Sequence, residues 1–266
     1  MLHRKPTLDD GSAVITGLLL GMNLPCNLPV GIVILGAVVA IGIGKMTFGG
    51  LGCNLFNPAL VGRCMLLVSF PVQMTSWPVV GQQMSYTDAT TGATPLSLMK
   101  KAISSGDASV LDSMPSSLHL LLGNNVNGGA GTIGEVCALA LLLGLAFMLW
   151  KKIITWHIPV SIILSAFVFA SVLHIANPIY ADPISVVLTG GMMLGAIFMA
   201  TDYTTSPMTR RGQLIYGTAI GLLTIVIRNW GAYPEGMSFA ILIMNAFTPL
   251  INNYCKPKRF GEVLKK

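Results

Sequence analysis

Long apolar runs separated by short turns rich in glycine, proline or charge organise this chain from Gly11 to Cys255. Three blocks, Gly11 to Gly44, Pro183 to Thr201 and Gly236 to Cys255, contain no Asp, Glu, Lys or Arg. About 20 apolar residues cross a bilayer as a helix. The pattern predicts about eight spans: Ser12 to Asn23, Pro29 to Gly44, Asn57 to Phe70, Thr132 to Trp150, His157 to Ile175, Ile184 to Ala200, Gln213 to Ile227 and Met237 to Asn253. The first and third are short and carry Gly or Pro, so broken or half helices are expected there. The chain thus divides into a first helical part (1–70), a more polar region (71–131), a second helical part (132–255) and a charged tail (256–266).

Composition agrees with that pattern. Hydrophobic residues make up 53% and charged ones 10%, against roughly a quarter charged in soluble domains. An all-α polytopic membrane protein is expected, with lipid as its surroundings. The net charge of +6 then reports topology, not a nucleic-acid partner, because cytoplasmic loops collect Lys and Arg. With 71–131 placed outside the cell, twelve of the sixteen Lys and Arg fall inside, including Lys45, Lys151, Lys152, Arg210, Arg211 and the tail. Lys100 and Lys101 fall outside, and Arg63 and Arg228 lie within or at the edge of spans. The opposite orientation reverses the ratio. The amino-terminal MLHRKPTLDDG is polar and leads directly into a long span, unlike a cleaved leader.

The text also repeats weakly. SAVITG from Ser12 is similar to SVVLTG from Ser185, and NPAL at Asn57 has a counterpart in NAFTPL at Asn245. Chance similarity of apolar text is the competing explanation. A genuine repeat would contain five helices per copy, and an odd number forces opposite topology. It would also leave the first copy two helices short in this chain.

No enzyme-like acid, base and nucleophile set is visible. His3, His119, His157 and His174 are scattered, with no pair spaced to face one metal, and no phosphate-binding glycine loop is present. Cys26, Cys53, Cys64, Cys137 and Cys255 form no close pair and read as small packing residues. Arg63, Glu135, Asp182, Asp202 and Arg228 matter more, since intramembrane charge needs a partner. Arg63, Asp202 and Arg228 are candidates for an ion path or for contacts to an anionic cofactor. Snorkelling to an interface is the competing reading for Arg228 and Glu135, whereas Arg63 lies deeper and the functional reading is favoured for it. GKMTFGGLGCNLFNPAL reads as a tight turn feeding a helix that starts at Asn57-Pro58, and MATDYTTSPMTRRGQ is its expected counterpart in the second half.

One small, polar stretch stands apart: YTDATTGATPLSLMKK, from Tyr86 to Lys101. Pro95 disfavours helix at Thr94, and Gly92 leaves the backbone approachable. Composition leaves two readings open, an ordinary loop and a modification site reachable from outside.

DATTGATPL resembles the covalent flavinylation motif of the NqrB and RnfD family of membrane subunits. DDGSAVITGLLL, GKMTFGGLGCNLFNPALVGR, SFPVQMTSWP, ATDYTTSPMTRRGQ and IRNWGAYPEGMSFAILIMNAFTPLIN carry the same resemblance, over about Lys5 to Gly261. The compact chain is more similar to the RnfD branch, from Rnf complexes, than to the NqrB branch of Na⁺-translocating NADH:quinone reductases, which stays the alternative beside a small-solute channel of the same fold. The resemblance implies FMN joined by a phosphoester to Thr94, with Asp88, Thr91, Gly92 and Ala93 as the recognition sequence of a separate flavin transferase. Thr91 stands where many relatives have Ser. It further implies electron transfer between ferredoxin and NAD coupled to Na⁺ or H⁺ translocation, with other Rnf subunits as partners, among them a second covalent-FMN subunit. The implied fold is a urea-transporter-like pair of inverted five-helix repeats in a bacterial inner membrane, with room for a noncovalent riboflavin or FMN.

Overall fold

The computed structural model describes residues 10–78, 92–123 and 131–256. Their regular elements are helices, without a β-sheet among them. In chain order the helices are α1 (Ser12–Met22), α2 (Val30–Val38, continued by π-helical turns Val39–Met46), α3 (Pro58–Ser69), α4 (Pro71–Met74), α5 (Pro95–Ser105), α6 (Ser117–Leu122) and α7 (Ala138–Trp150). Then follow α8 (His157–Ala176), α9 (Pro183–Leu188), α10 (Met192–Leu194, continued by π-helical turns Gly195–Met199), α11 (Arg210–Trp230) and α12 (Met237–Tyr254).

Local chemistry explains most boundaries. Asn57 caps α3 by accepting from the Ala59 and Leu60 amides at 3.1 and 3.3 Å, with Pro58 in the first turn. Asp182 caps α9 through Ser185 N at 3.2 Å, and Thr209 caps α11 through Gly212 N at 3.2 Å. Such caps satisfy the amides that a helix start leaves without partners. The expected helix start at Asn57-Pro58 is therefore where the sequence places it.

Two expectations are narrowed or corrected. Of the broken or half helices expected at the first and third elements, α1 and α3 take the second form: short, 11 and 12 residues, and uninterrupted. A break lies between α9 and α10, where Thr189 leaves the helix and Gly190 and Gly191 adopt φ of +69° and +65°, a region open to glycine. The region 71–131 also holds more structure than its polar text suggested, because α5 and α6 form within it. Its helix signal was present all the same: Thr-Pro at the start and Gly106, with φ +71°, just past the end.

Two apolar cores result. The first joins α1, α2 and α3 through Leu20, Ala40, Ala59, Leu66 and Leu67. The larger second core joins α7 to α12 around Ile162, Leu194, Ile197, Tyr216 and Ile220. Small residues let the backbones close up. On α11, a Cβ at Gly221 would stand 2.6 Å from Ile162 O and 2.0 Å from Ser165 Oγ of α8, and Gly217 meets Ser161 in the same way. On α3, a Cβ at Gly62 would stand 2.8 Å from Gly36 O of α2. Small residues four apart are the usual means of close helix approach where lipid removes the hydrophobic drive.

The outer surface is apolar as well. Val14, Ile15 and Leu18 of α1, Val30, Ile34 and Val38 of α2, and Leu164, Val168, Val172 and Ile175 of α8 are all more than half exposed. Helices that are apolar all round belong in a membrane. Among the described residues α8, 20 residues long with a mean hydropathy of 2.2 over its best 18, is the one helix long and apolar enough to cross by itself, and α1, α2 with its continuation, α3 and α7 are shorter apolar helices.

Three of the polar turns, 47–57, 151–156 and 200–209, gather at one end of the bundle. Tyr203 of the 200–209 turn donates to Ile153 O, Thr155 Oγ1 donates to Gln213 Oε1 at 2.9 Å, and Met208 N donates to Asn252 Oδ1 at 3.1 Å. The turn of 47–57 joins them through Asn54 and Asp202, 3.4 Å apart. Lys151, Lys152, Arg210 and Arg211 cluster at that end, and α5 lies at the other.

Candidate functional site

Thr94 stands at the amino end of α5, in extended geometry with φ −72° and ψ 153°, as the following proline requires. Its Oγ1 accepts from Ser97 N at 3.2 Å, and Ser97 Oγ donates back to Thr94 O at 2.7 Å. The Thr94 side chain is largely covered, at 7% exposure, while Ala93 beside it is exposed. Gly92 N donates to Trp77 O at 3.0 Å, which ties the approach to Thr94 to the chain beyond α4. Asp88 and Thr91 lie outside the described residues.

A phosphoester fits this position. Esterified Oγ1 keeps a lone pair for the Ser97 amide, so the cap survives. The phosphate would sit at the amino end of an 11-residue helix, where free amides and the helix dipole favour an anion.

The carboxyl end of α9 lies directly behind this helix. Arg228, near the end of α11, donates from Nη1 to Val186 O at 2.7 Å and from Nη2 to Thr189 O and Gly190 O at 2.8 and 2.9 Å. These carbonyls have no helical partner because α9 stops there. A Cβ at Gly190 would stand 2.7 Å from Arg228 Nη2 and 2.8 Å from Leu96 Cδ2, so Leu96 of α5 and the guanidinium meet at the break. Glu135 serves the other side. Its Oε1 accepts from Thr132 N at 2.8 Å, and Oε2 lies beside Gly191 at the amino end of α10. A cation thus faces the carbonyl end of one half-helix and an anion the amide end of the next, each complementing a helix dipole. Arg228 does not snorkel: it is 4% exposed and turned inward.

Arg63 is buried equally but uses side chains. It pairs with Glu235 in the turn before α12, and its Nη1 donates to Asn23 Oδ1 at 3.1 Å and Ser238 Oγ at 2.7 Å. Asn23, just past α1, donates to Leu19 O at 2.8 Å. Further along the boundary between the halves, Asn57 Nδ2 donates to Met199 O at 3.1 Å. Asn245, oriented to suit its neighbours, accepts from Asn57 N at 3.1 Å and donates to the Tyr216 hydroxyl at 2.6 Å. Asp202 ends this seam: it accepts from Thr204 Oγ1 at 3.0 Å and Thr205 Oγ1 at 3.3 Å, and faces Asn54.

Of the residues singled out in the sequence, Thr94 and Arg228 come into one neighbourhood through Leu96. Arg63 lies on the contact between the halves, within electrostatic reach of the Glu135 that also serves Arg228, and Asp202 is at the opposite end, against the turn named as its counterpart. Asn23, Glu235 and Ser238 escaped sequence reasoning. Glu235 is 172 positions from Arg63, and nothing local marks it as a partner.

Comparison with known proteins supplies the rest. Residues 1–261 match the model of the NQR2, RnfD, RnfE family. A protein of Acetobacterium woodii, named as a component of the Na(+)-translocating ferredoxin:NAD(+) oxidoreductase complex, is 47% identical, over 98% of this chain and 76% of its own length. The corresponding component of the proton-translocating ferredoxin:NAD(+) oxidoreductase complex of Clostridium ljungdahlii is 42% identical, over 98% and 78%. That of the ion-translocating oxidoreductase complex of Klebsiella pneumoniae is 40% identical, over 98% and 81%. Helical architecture, sequence match and relatives agree, and the chain belongs to the NQR2, RnfD, RnfE family.

Proposed function

We propose that this chain is the electron-transferring membrane subunit of an ion-translocating ferredoxin:NAD oxidoreductase complex, and that it carries FMN in a phosphoester to Thr94. The reading rests on one observation above the others. The hydroxyl of the motif sits at a helix start that can hold a phosphate without losing its cap. The relatives' names supply the reaction class.

When bound, the flavin supplies the electron-carrying ring, and the protein supplies its position and field. In that division of labour Ser97 N–H and the first turn of α5 hold the phosphate. Pro95 fixes the backbone angle at which the chain leaves Thr94, and Leu96 seats the helix against the Gly190 break. Arg228 keeps that break closed by holding the α9 carbonyls. A flavin transferase recognises Asp88, Thr91, Gly92 and Ala93 from the outer side, and the other Rnf subunits pass electrons to and from the flavin.

The membrane arrangement belongs to the same proposal. The element predicted at 132–150, α8, the broken α9–α10 pair, α11 and α12 make five spans of one repeat, and α1, α2 and α3 belong to the other, inverted copy. Exposed Trp150, Trp156 and Tyr203 stand at the end that carries Lys151, Lys152, Arg210 and Arg211. Aromatic and basic residues mark that end as the cytoplasmic interface of a bacterial inner membrane, and leave α5 outside.

Production of the chain with its complex and transferase should give a fluorescent band on a denaturing gel, and the tryptic peptide containing Thr94 should carry the FMN mass. Thr94→Ala should abolish both. Fluorescence that persists in Thr94→Ala, or an unmodified native chain, would overturn the assignment.

A further inference from the structure

Lys100 and Lys101 are the two cations that break the charge asymmetry, and the structure separates them. Lys101 is exposed. Lys100 is half-buried and reaches across to the α11 end, where its Nζ donates to Gly231 O at 2.5 Å and to Ala232 O at 2.7 Å. These carbonyls lie just past the end of α11, where acceptors have no helical donor and a positive charge complements the dipole.

Lys100 shares a helix face with Leu96 and Met99, at i, i+3 and i+4. Leu96 presses on Gly190 and Arg228 at the helix break, and Leu96, Met99 and Ala181 form a small apolar cluster. That cluster is slight, three buried side chains, so polar contacts matter for holding α5 in place. Burial pushes the Lys100 ammonium below the ordinary lysine value, a desolvation cost that the two carbonyls offset.

We propose that Lys100 is a positioning residue: its ammonium fastens α5 to the end of α11 and so fixes Thr94, with the group it carries, relative to the helix break and Arg228. The redox part rests on the reading of Thr94 as the flavin anchor. Lys100 also leaves a positive charge on the helix that carries the anchor, and a nearby ammonium favours the negative charge that reduction of a flavin adds.

The test uses the assembled complex with Lys100→Met, Lys100→Arg and Lys101→Met. Hydrogen exchange across residues 98–105 should quicken about tenfold in Lys100→Met, return close to the native rate in Lys100→Arg and stay native in Lys101→Met. In redox titrations the flavin midpoint should move to more negative potential in Lys100→Met and return in Lys100→Arg. Native exchange and native potential in Lys100→Met would overturn the proposal, as would the same shifts in Lys101→Met, which would reveal a general charge effect. If the native chain carries no flavin, the Thr94 reading fails by itself, and hydrogen exchange still decides the role of Lys100. Should Lys100→Met fail to assemble, Lys100→Gln, which keeps a donor and loses the charge, gives both readings.

Discussion

Arg63 and Arg228 are equally buried and do different work. Arg228 gives its guanidinium to main-chain carbonyls of Val186, Thr189 and Gly190 within the second half. Arg63 gives its own to Glu235, Asn23 and Ser238, and so bridges the two halves. A carbonyl at a helix break cannot move away or be mutated, whereas a carboxylate can do both. The first arginine is therefore part of the backbone's own hydrogen bonding, and the second is a joint between parts.

Arg228→Met should have the largest effect. It strands the Thr189 and Gly190 carbonyls and leaves Val186 O only the Thr189 hydroxyl at 3.4 Å; unpaired buried carbonyls cost about 1–3 kcal/mol each, so a loss of about 4 kcal/mol is expected from unfolding in detergent. A loss under about 1 kcal/mol would mean that water replaces the guanidinium and that the distinction is false. Arg63→Met should cost less, about 2–3 kcal/mol, because the Glu235 side chain is 14% exposed and can turn to solvent. Adding Glu235→Gln to Arg63→Met should recover about 1 kcal/mol through the pairwise coupling. Glu135→Gln should likewise recover about 1 kcal/mol in Arg228→Met, since the buried Glu135 carboxylate loses the guanidinium that stabilises it across the helix break. Smallest is Asn23→Ala, about 1–2 kcal/mol for the lost hydrogen bonds with Arg63 and Leu19 O, and simple additivity with Arg63→Met would show that the two do not cooperate.

The element pattern was legible in the text because it is local. Asn57-Pro58 and Thr94-Pro95 specify helix starts through atoms within three residues of themselves, and apolar runs report their surroundings directly. The break at Gly190-Gly191 was missed because Gly and Pro near α1 carry the same signal, and only packing against Arg228 and Glu135 decides which pair opens a helix. The candidate site was legible at Thr94, from its motif, but not in what supports it. Lys100 looked like an exception to a charge rule, and its acceptors at Gly231 and Ala232 have no side-chain signature.

By itself, then, the sequence determined an all-helical membrane chain, its main helices, the end at which its basic turns collect and the one hydroxyl worth testing. These follow from hydropathy, caps and charge counts, each readable over a few residues. Tertiary structure alone decided which carboxylate meets Arg63, which carbonyls occupy Arg228 and what Lys100 fastens. Those choices depend on groups brought together over tens to hundreds of positions, where burial selects partners that spacing cannot.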